Sequence, residues 1–209
     1  EFFDAVYLQQ NAFDPVDVTM QVTPPPTWGK LTGMVESMSC TNVIAPLPAV
    51  DKIAVQIGDT VTDEVVVPTY PVVQYGHVPT GGDGIGSGYV YTGKAMPALR
   101  GKYIFSDLST GRVWYADFKD MLAADDRNPE TLAQMQEVKI RWNGQVHDTF
   151  TPIAEAAYRA RGGKDPDLPG RGTVSGSKRA DARFALDAAG ELYIYSKTDG
   201  MIRQVVGAE

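Results

Sequence analysis

Residues 101–114 read GKYIFSDLSTGRVW and residues 190–203 read GELYIYSKTDGMIR. Laid on one another without gaps, Gly101 and Gly111 fall on Gly190 and Gly200, Ser109 on Thr198, and Val113 on Ile202. Each copy has a β-rich run, Tyr103-Ile104-Phe105 or Leu192-Tyr193-Ile194, followed by a polar turn, Asp107-Leu108-Ser109-Thr110 or Lys197-Thr198-Asp199. The glycine after each turn is free to take positive φ, so the pattern predicts two hairpins of one design. A further strand is expected upstream of each, over residues 88–91 and 181–186, the latter joined through Asp187-Ala188-Ala189-Gly190. That makes at least three antiparallel strands per unit.

Repeated antiparallel units of this kind point to propeller blades, whose sheets bury their faces against neighbours. The offset of 89 residues fits two ordinary blades or one blade carrying insertions. The intervening sequence favours the second arrangement, because residues 117–136 read as largely helical and residues 151–161 as a second short helix. The expected fold class is therefore mainly β, a partial β-propeller of antiparallel blades with short helical insertions. Two unrelated hairpins are the plainer alternative.

Upstream, Gly81 to Gly88 holds five glycines in eight positions, which suits a mobile or tightly turning loop before a strand. A phosphate loop would need a helix next, to aim its N–H groups, but Tyr89-Val90-Tyr91 reads as β. Farther back, Lys52 to Ile57 alternates, Gly58-Asp59 turns, and Thr62 to Val67 returns as a β-branched run, which predicts a hairpin. Pro24-Pro25-Pro26 reads as an extended linker, and Phe2 to Phe13 as one short helix stopped by Asp14-Pro15. These features divide the chain into residues 1–69, with helix, Pro-rich linker and hairpin, and residues 70–209, with the blades.

Composition narrows the function classes. With 26 acidic and 19 basic residues the net charge is −7, which repels a phosphate backbone and argues against nucleic acid. No run approaches the roughly 20 apolar residues of a membrane span. Cys40 is the single cysteine, so it has no partner for an internal disulfide. The opening Glu1-Phe2-Phe3-Asp4 has no basic and apolar leader, which suggests a processed chain or a fragment.

Several segments are similar to known families. Tyr70 to His77 (YPVVQYGH), Gly88 to Gly93 (GYVYTG), Pro97 to Phe105 (PALRGKYIF), Asp107 to Arg112 (DLSTGR) and Asp187 to Tyr193 (DAAGELY) together resemble the closing portion of the glucose/sorbosone dehydrogenase family. These are sugar dehydrogenases dependent on pyrroloquinoline quinone (PQQ). The resemblance implies a six-bladed propeller, PQQ over its central channel, Ca2+ as an accessory ion, a sugar substrate, and a periplasmic or secreted setting. Such enzymes use a histidine base from an early blade, and this chain resembles only the late ones, so no catalytic residue is assigned. Where members carry a cofactor-contacting lysine this chain has Ser109, and their paired arginines fall near Ala180 and Ala182, with Arg179, Asp181 and Arg183 beside them. A one-residue slip on a strand turns a side chain to the other face, so which of these groups reaches the channel depends on the register. Residues 8–17 resemble a segment of the catalytic subunit of V-type ATPases. Ala45-Pro46-Leu47-Pro48 with Val55 to Val61 resembles part of a biotinyl or lipoyl carrier domain, but Lys52 is not placed at a hairpin tip as such a carrier requires.

Arg179 and Arg183 are the candidates for pairing with the carboxylates of the quinone, with Asp181 between them; the alternative is a salt bridge with Asp181 or Asp187 on a solvated strand. His77 and His147 have no ligand partners at metal spacing, and Asp125-Asp126 and Asp165-Pro166-Asp167 lack the regular oxygen spacing of a calcium loop. Gly86-Ser87-Gly88 leads into a strand and is no nucleophile elbow. The second function class is a non-catalytic propeller-derived module that binds carbohydrate or protein. An open array of blades leaves faces and edges bare, so either an incomplete, aggregation-prone fold or closure by self-association is expected.

Overall fold

The computed structural model describes the strand segments Phe3–Tyr7, Lys30–Leu31, Ile53–Ile57 and Thr60–Val66, and then residues 70–77, 80–128, 130–166, 168 and 178–208. In chain order the strands are β1 (Phe3–Tyr7), β2 (Lys30–Leu31), β3 (Ile53–Ile57), β4 (Thr60–Val66), β5 (Pro71–Gly76), β6 (Ile85–Val90), β7 (Lys102–Asp107) and β8 (Val113–Asp117). Helix α1 (Phe118–Ala124) precedes β9 (Met135–Glu137), β10 (Ile140–Trp142) and β11 (Gln145–His147). Helix α2 (Thr151–Ala160) precedes β12 (Ala182–Leu186), β13 (Leu192–Ser196) and β14 (Met201–Gln204). The protein is mainly β, with antiparallel sheets throughout the described residues.

Both copies of the repeat fold alike. In the first unit β6-β7-β8-β9 forms a four-stranded meander; in the second β12-β13-β14 forms a three-stranded one. Ser106 pairs with Val113 and Tyr195 with Ile202, so the 89-residue offset holds through the hairpin register. Gly111 and Gly200 have φ of 70° and 67°, and each donates its N–H back to the residue four before it, Asp107 or Ser196. At the other end Gly101 and Gly190 match at 78° and 79°. These four glycines sit where a Cβ would be strained, which is why the spacing repeats.

The units are separate sheets around one core. Strand alternation gives each sheet two apolar faces. Ile104 and Val113 of the first unit and Ala182, Phe184 and Ile194 of the second meet in a cluster completed by Phe150, Ile153 and Ala154 from the α2 region. The opposite face of the first unit, Phe105, Trp114 and Ala116, packs on Val72, Val73 and Tyr75 of β5 and on Met121 of α1. Tyr75 stacks on Trp114 at 4.6 Å between centroids. Burying each large side chain in these clusters contributes about 2 kcal/mol. The α2 helix stands where its sequence places it, with Pro152 in its first turn and Ile153 and Ala154 buried.

Three local expectations change. Residues 2–13 read as a helix, yet Phe3–Tyr7 is a strand paired antiparallel with β5, Phe3 opposite Gly76; a long-range ladder overrides the local apolar spacing. Residues 8–13 lie outside the described residues. The helix expected over residues 117–136 stops at Ala124, because Asp125 leaves the helical region (ψ 58°) and Arg127 takes φ of 67°. The chain then runs on as β9, the closing strand of the first unit. The glycine run does not end as a loop: β6 begins at Ile85, and Gly86 and Gly88 belong to it. A Cβ on Gly86 would lie 2.6 Å from the carbonyl oxygen of Ala182, and one on Gly88 2.4 Å from the Tyr103 hydroxyl, so both glycines serve close packing. The β3–β4 hairpin forms as the alternation indicates; its turn at Gly58-Asp59 lies outside the described residues, as do the Pro-rich linker and the 8–17 segment.

Candidate functional site

Asp107 organises one end of the first unit. Its carboxylate is fully buried, and each oxygen meets three donors. Oδ2 accepts from Tyr75 Oη (3.1 Å) and the N–H groups of Asp83 and Gly84 (both 2.7 Å). Oδ1 accepts from Ser109 N–H (3.0 Å), Thr110 N–H (2.5 Å) and Thr110 Oγ1 (2.7 Å). Backbone donors thus solvate a buried charge in place of water. A Cβ on Gly82 would come within 2.2 Å of Asp107 Oδ2, so glycine is needed for this approach. The N–H groups of Asp83 and Gly84, which a phosphate loop would offer a ligand, are spent on the protein's own carboxylate.

At this same end the entry to β12 is gripped by both repeated turns. Ala180 N–H donates to Ser109 O (2.7 Å) and Ala182 N–H to Leu108 O (3.1 Å), while Ser106 Oγ donates to Ala182 O (3.2 Å). From the second unit Ser196 Oγ donates to Ala180 O (2.6 Å) and Thr198 Oγ1 to Arg179 O (3.0 Å). Between these anchors Asp181 adopts φ of 48°, a left-handed geometry that an aspartate tolerates better than most residues.

The three sequence-selected residues come together here. Arg179 Nε and Nη2 both lie 3.0 Å from Asp181 Oδ1, and Arg183 Nη1 lies 3.7 Å from the same oxygen. The Asp181 side chain is 10% exposed, whereas Arg179 and Arg183 keep 28% and 33%, leaving one net positive charge accessible. Ala180 and Ala182 are fully buried in the shared core, and Arg183 points to the opposite face of β12. Ser109 is buried too.

A second cationic group escaped the sequence reading. Arg203 Nη2 pairs with buried Asp199 Oδ2 at 2.6 Å, and its guanidinium lies 5.3 Å from the centre of the Phe150 ring. Arg161 Nη1 donates to Asp199 O (2.7 Å). Among the described residues Arg203 Nη1 is buried without a hydrogen-bond partner. The available signal was the repeat itself, since Arg203 stands where the first copy has Trp114. His77 follows β5 and His147 ends β11; neither belongs to the cluster around Asp181.

The opposite end of the sheets carries a second clamp. Residues 91–101, which join β6 to β7, are longer than the matched connection 187–191 and reach across to it. Tyr91 Oη donates to Glu191 Oε2 (2.5 Å) and accepts from Met96 N–H (3.0 Å), while Glu191 Oε1 accepts from the N–H groups of Lys94 (2.8 Å) and Ala95 (3.1 Å). The phenol's hydrogen bond, and then the Lys94 N–H, hold the Glu191 carboxyl below the usual glutamate range; burial, then the carboxylate, pushes the Tyr91 hydroxyl up.

Among the described residues no group of three His, Cys, Asp or Glu side chains is arranged to hold a metal ion, and no helix is long and apolar enough to cross a membrane. No protein-family model, curated protein or solved structure matches the chain.

Proposed function

We propose that this chain is the late part of a radial β-sheet assembly, a partial β-propeller, whose Arg179–Asp181–Arg183 cluster holds an anionic quinone for sugar oxidation. The observation that carries the reading is the meeting of both repeated turns at one end of the sheets, with two partly exposed guanidiniums sharing a single carboxylate there. PQQ is a tricarboxylate, and guanidinium binds carboxylate with paired, charge-assisted hydrogen bonds. Arg179 and Arg183 would take its carboxylates and Asp181 would fix their orientation. When bound, the quinone supplies a two-electron acceptor for an aldose; the base that removes the sugar's proton would come from blades outside this chain. For the Ca2+ that the family resemblance implies, the described residues bring no three His, Cys, Asp or Glu side chains together, and no role is derived for it. A periplasmic or secreted site of action belongs to the same proposal.

The shared Asp181 also supports a second reading. A guanidinium pair already neutralised in part suits a non-catalytic module that presents this end to a carbohydrate or protein. Titration with PQQ, followed by quinone absorption, separates the two. The quinoprotein reading expects binding that weakens in Arg179→Ala and Arg183→Ala, and dye reduction by an aldose once the missing blades are supplied. Absence of any PQQ binding at micromolar protein rejects the quinoprotein reading and leaves the module.

A further inference from the structure

The sheet β12-β13-β14 has two faces of unlike fate. Alternation along the paired strands puts Ala182, Phe184, Ile194 and Arg203 on the face toward the first unit and Phe150, and Arg183, Ala185, Tyr193, Tyr195, Ile202 and Gln204 on the other face. On that other face Ile202 is 72% exposed, and Val206 beyond it 80%. The matched positions of the first unit tell what such a face is for: Ile104 and Val113, which correspond to Tyr193 and Ile202, are each 3% exposed in the core cluster that the second unit and the α2 region complete. An apolar strip of this kind on an edge strand with Arg203 as its one charge, already paired with Asp199, is built for contact.

The charges on the face indicate what covers it. Arg183 stands near one end of β12 and Asp187 just past the other, about 13 Å apart at the rise of a strand. Tyr193 Oη donates to Asp187 Oδ2 (3.3 Å), which places that carboxylate on the same face as Tyr193. A half-turn about an axis lying in the contact plane and crossing the strands brings Arg183 opposite Asp187 of the partner subunit. The same operation sets Ile202 against Val206 of the partner subunit, and Tyr193 and Gln204 against their own copies. Arg183 has donors enough to keep Asp181 while meeting a second carboxylate. From this self-complementarity we infer that the outer face of the second unit is an isologous interface joining two copies of the chain. The inference rests on the repeat and concerns the ligand-free chain; Arg183 serves in both it and the quinone reading, so PQQ and the partner's Asp187 would compete for that guanidinium.

Sedimentation velocity across a wide concentration range, on the ligand-free chain, should show a monomer–dimer equilibrium. Ile202→Asp should abolish the dimer while leaving the melting curve unchanged, since Ile202 is exposed in the single chain. In a Cys40→Ser background, Gln204→Cys should give a disulfide-linked dimer on mild oxidation, and Leu122→Cys, exposed on α1, should remain monomeric. A monomer at every concentration overturns the inference, whether the face then serves another protein or none. So does a dimer indifferent to Ile202→Asp, or cross-linking through Leu122→Cys in place of Gln204→Cys.

Discussion

Replacing Asp107 by Asn keeps the shape of the side chain and removes what the structure uses. Each carboxylate oxygen faces three donors: Tyr75 Oη with the N–H groups of Asp83 and Gly84, and Ser109 N–H with both donors of Thr110. Whichever way the amide is turned, its NH2 group faces two backbone N–H groups that it cannot accept from, and only the one hydroxyl on that side can turn to accept from it. Hydrogen bonds to a charged group contribute about 1.5–3 kcal/mol each, but bonds to one group are not additive. A loss of about 4 kcal/mol is expected for Asp107→Asn. At about 2–4 °C per kcal/mol for a chain of this size, the melting temperature should fall by about 10 °C. Ser196 is the internal control, because it holds the matched position and makes two neutral bonds, to Ala180 O and from Thr198 N–H. Ser196→Ala should lose only about 1–2 kcal/mol. Urea unfolding followed by circular dichroism measures both. Asp107→Asn within about 1 kcal/mol of the parent, or no worse than Ser196→Ala, would refute the role assigned to Asp107.

The paired glycines and the far clamp yield further tests. Gly111 and Gly200 share positive φ, but a Cβ on Gly111 would lie 2.9 Å from the Ala180 Cβ and 3.1 Å from Phe150, while on Gly200 the nearest atom is the movable head of Arg161. Gly200→Ala should therefore cost about 1 kcal/mol and Gly111→Ala about 3, from chemical denaturation; equal losses would count against the packing at Gly111. Because the native Glu191 carboxyl is depressed, its clamp contributes stability above the ordinary glutamate range and loses it as pH falls through the native value. The stability gap between the parent and Glu191→Gln should be flat near neutrality and shrink on acidification, as read from melting curves at several pH values; a gap that widens toward acid contradicts the clamp.

The hairpins were legible in the sequence because a hairpin is a local object: Gly101, Gly111, Gly190 and Gly200 mark its ends, and the register follows from the turn. The second helix was legible for the same reason, with Pro152 starting it and an apolar face over Ile153 and Ala154. The pairing of Phe3–Tyr7 with Pro71–Gly76 was not, since no local signal reports a partner some seventy residues away. Asp107 looked like an ordinary turn residue, and only the folded path of residues 81–84 shows its carboxylate to be a hub. For the cationic cluster, the sequence selected Arg179, Asp181 and Arg183 and left open whether the arginines paired with Asp181; the structure brings the three together. It missed Arg203, whose position reads as a core aromatic in the first copy and becomes a guanidinium over Phe150 in the second.

The two repeated units lie side by side around a shared core, and the amides of Ala180, Ala182 and Phe184 report on that contact directly. In the structure they donate to Ser109 O, Leu108 O and Ser87 Oγ of the first unit, the last at 2.6 Å. Amide hydrogen exchange by NMR should find all three as protected as the central strands β7 and β13. Rapid exchange at these three positions, with β13 still protected, would show an outer strand edge open to water and would contradict the stacked arrangement.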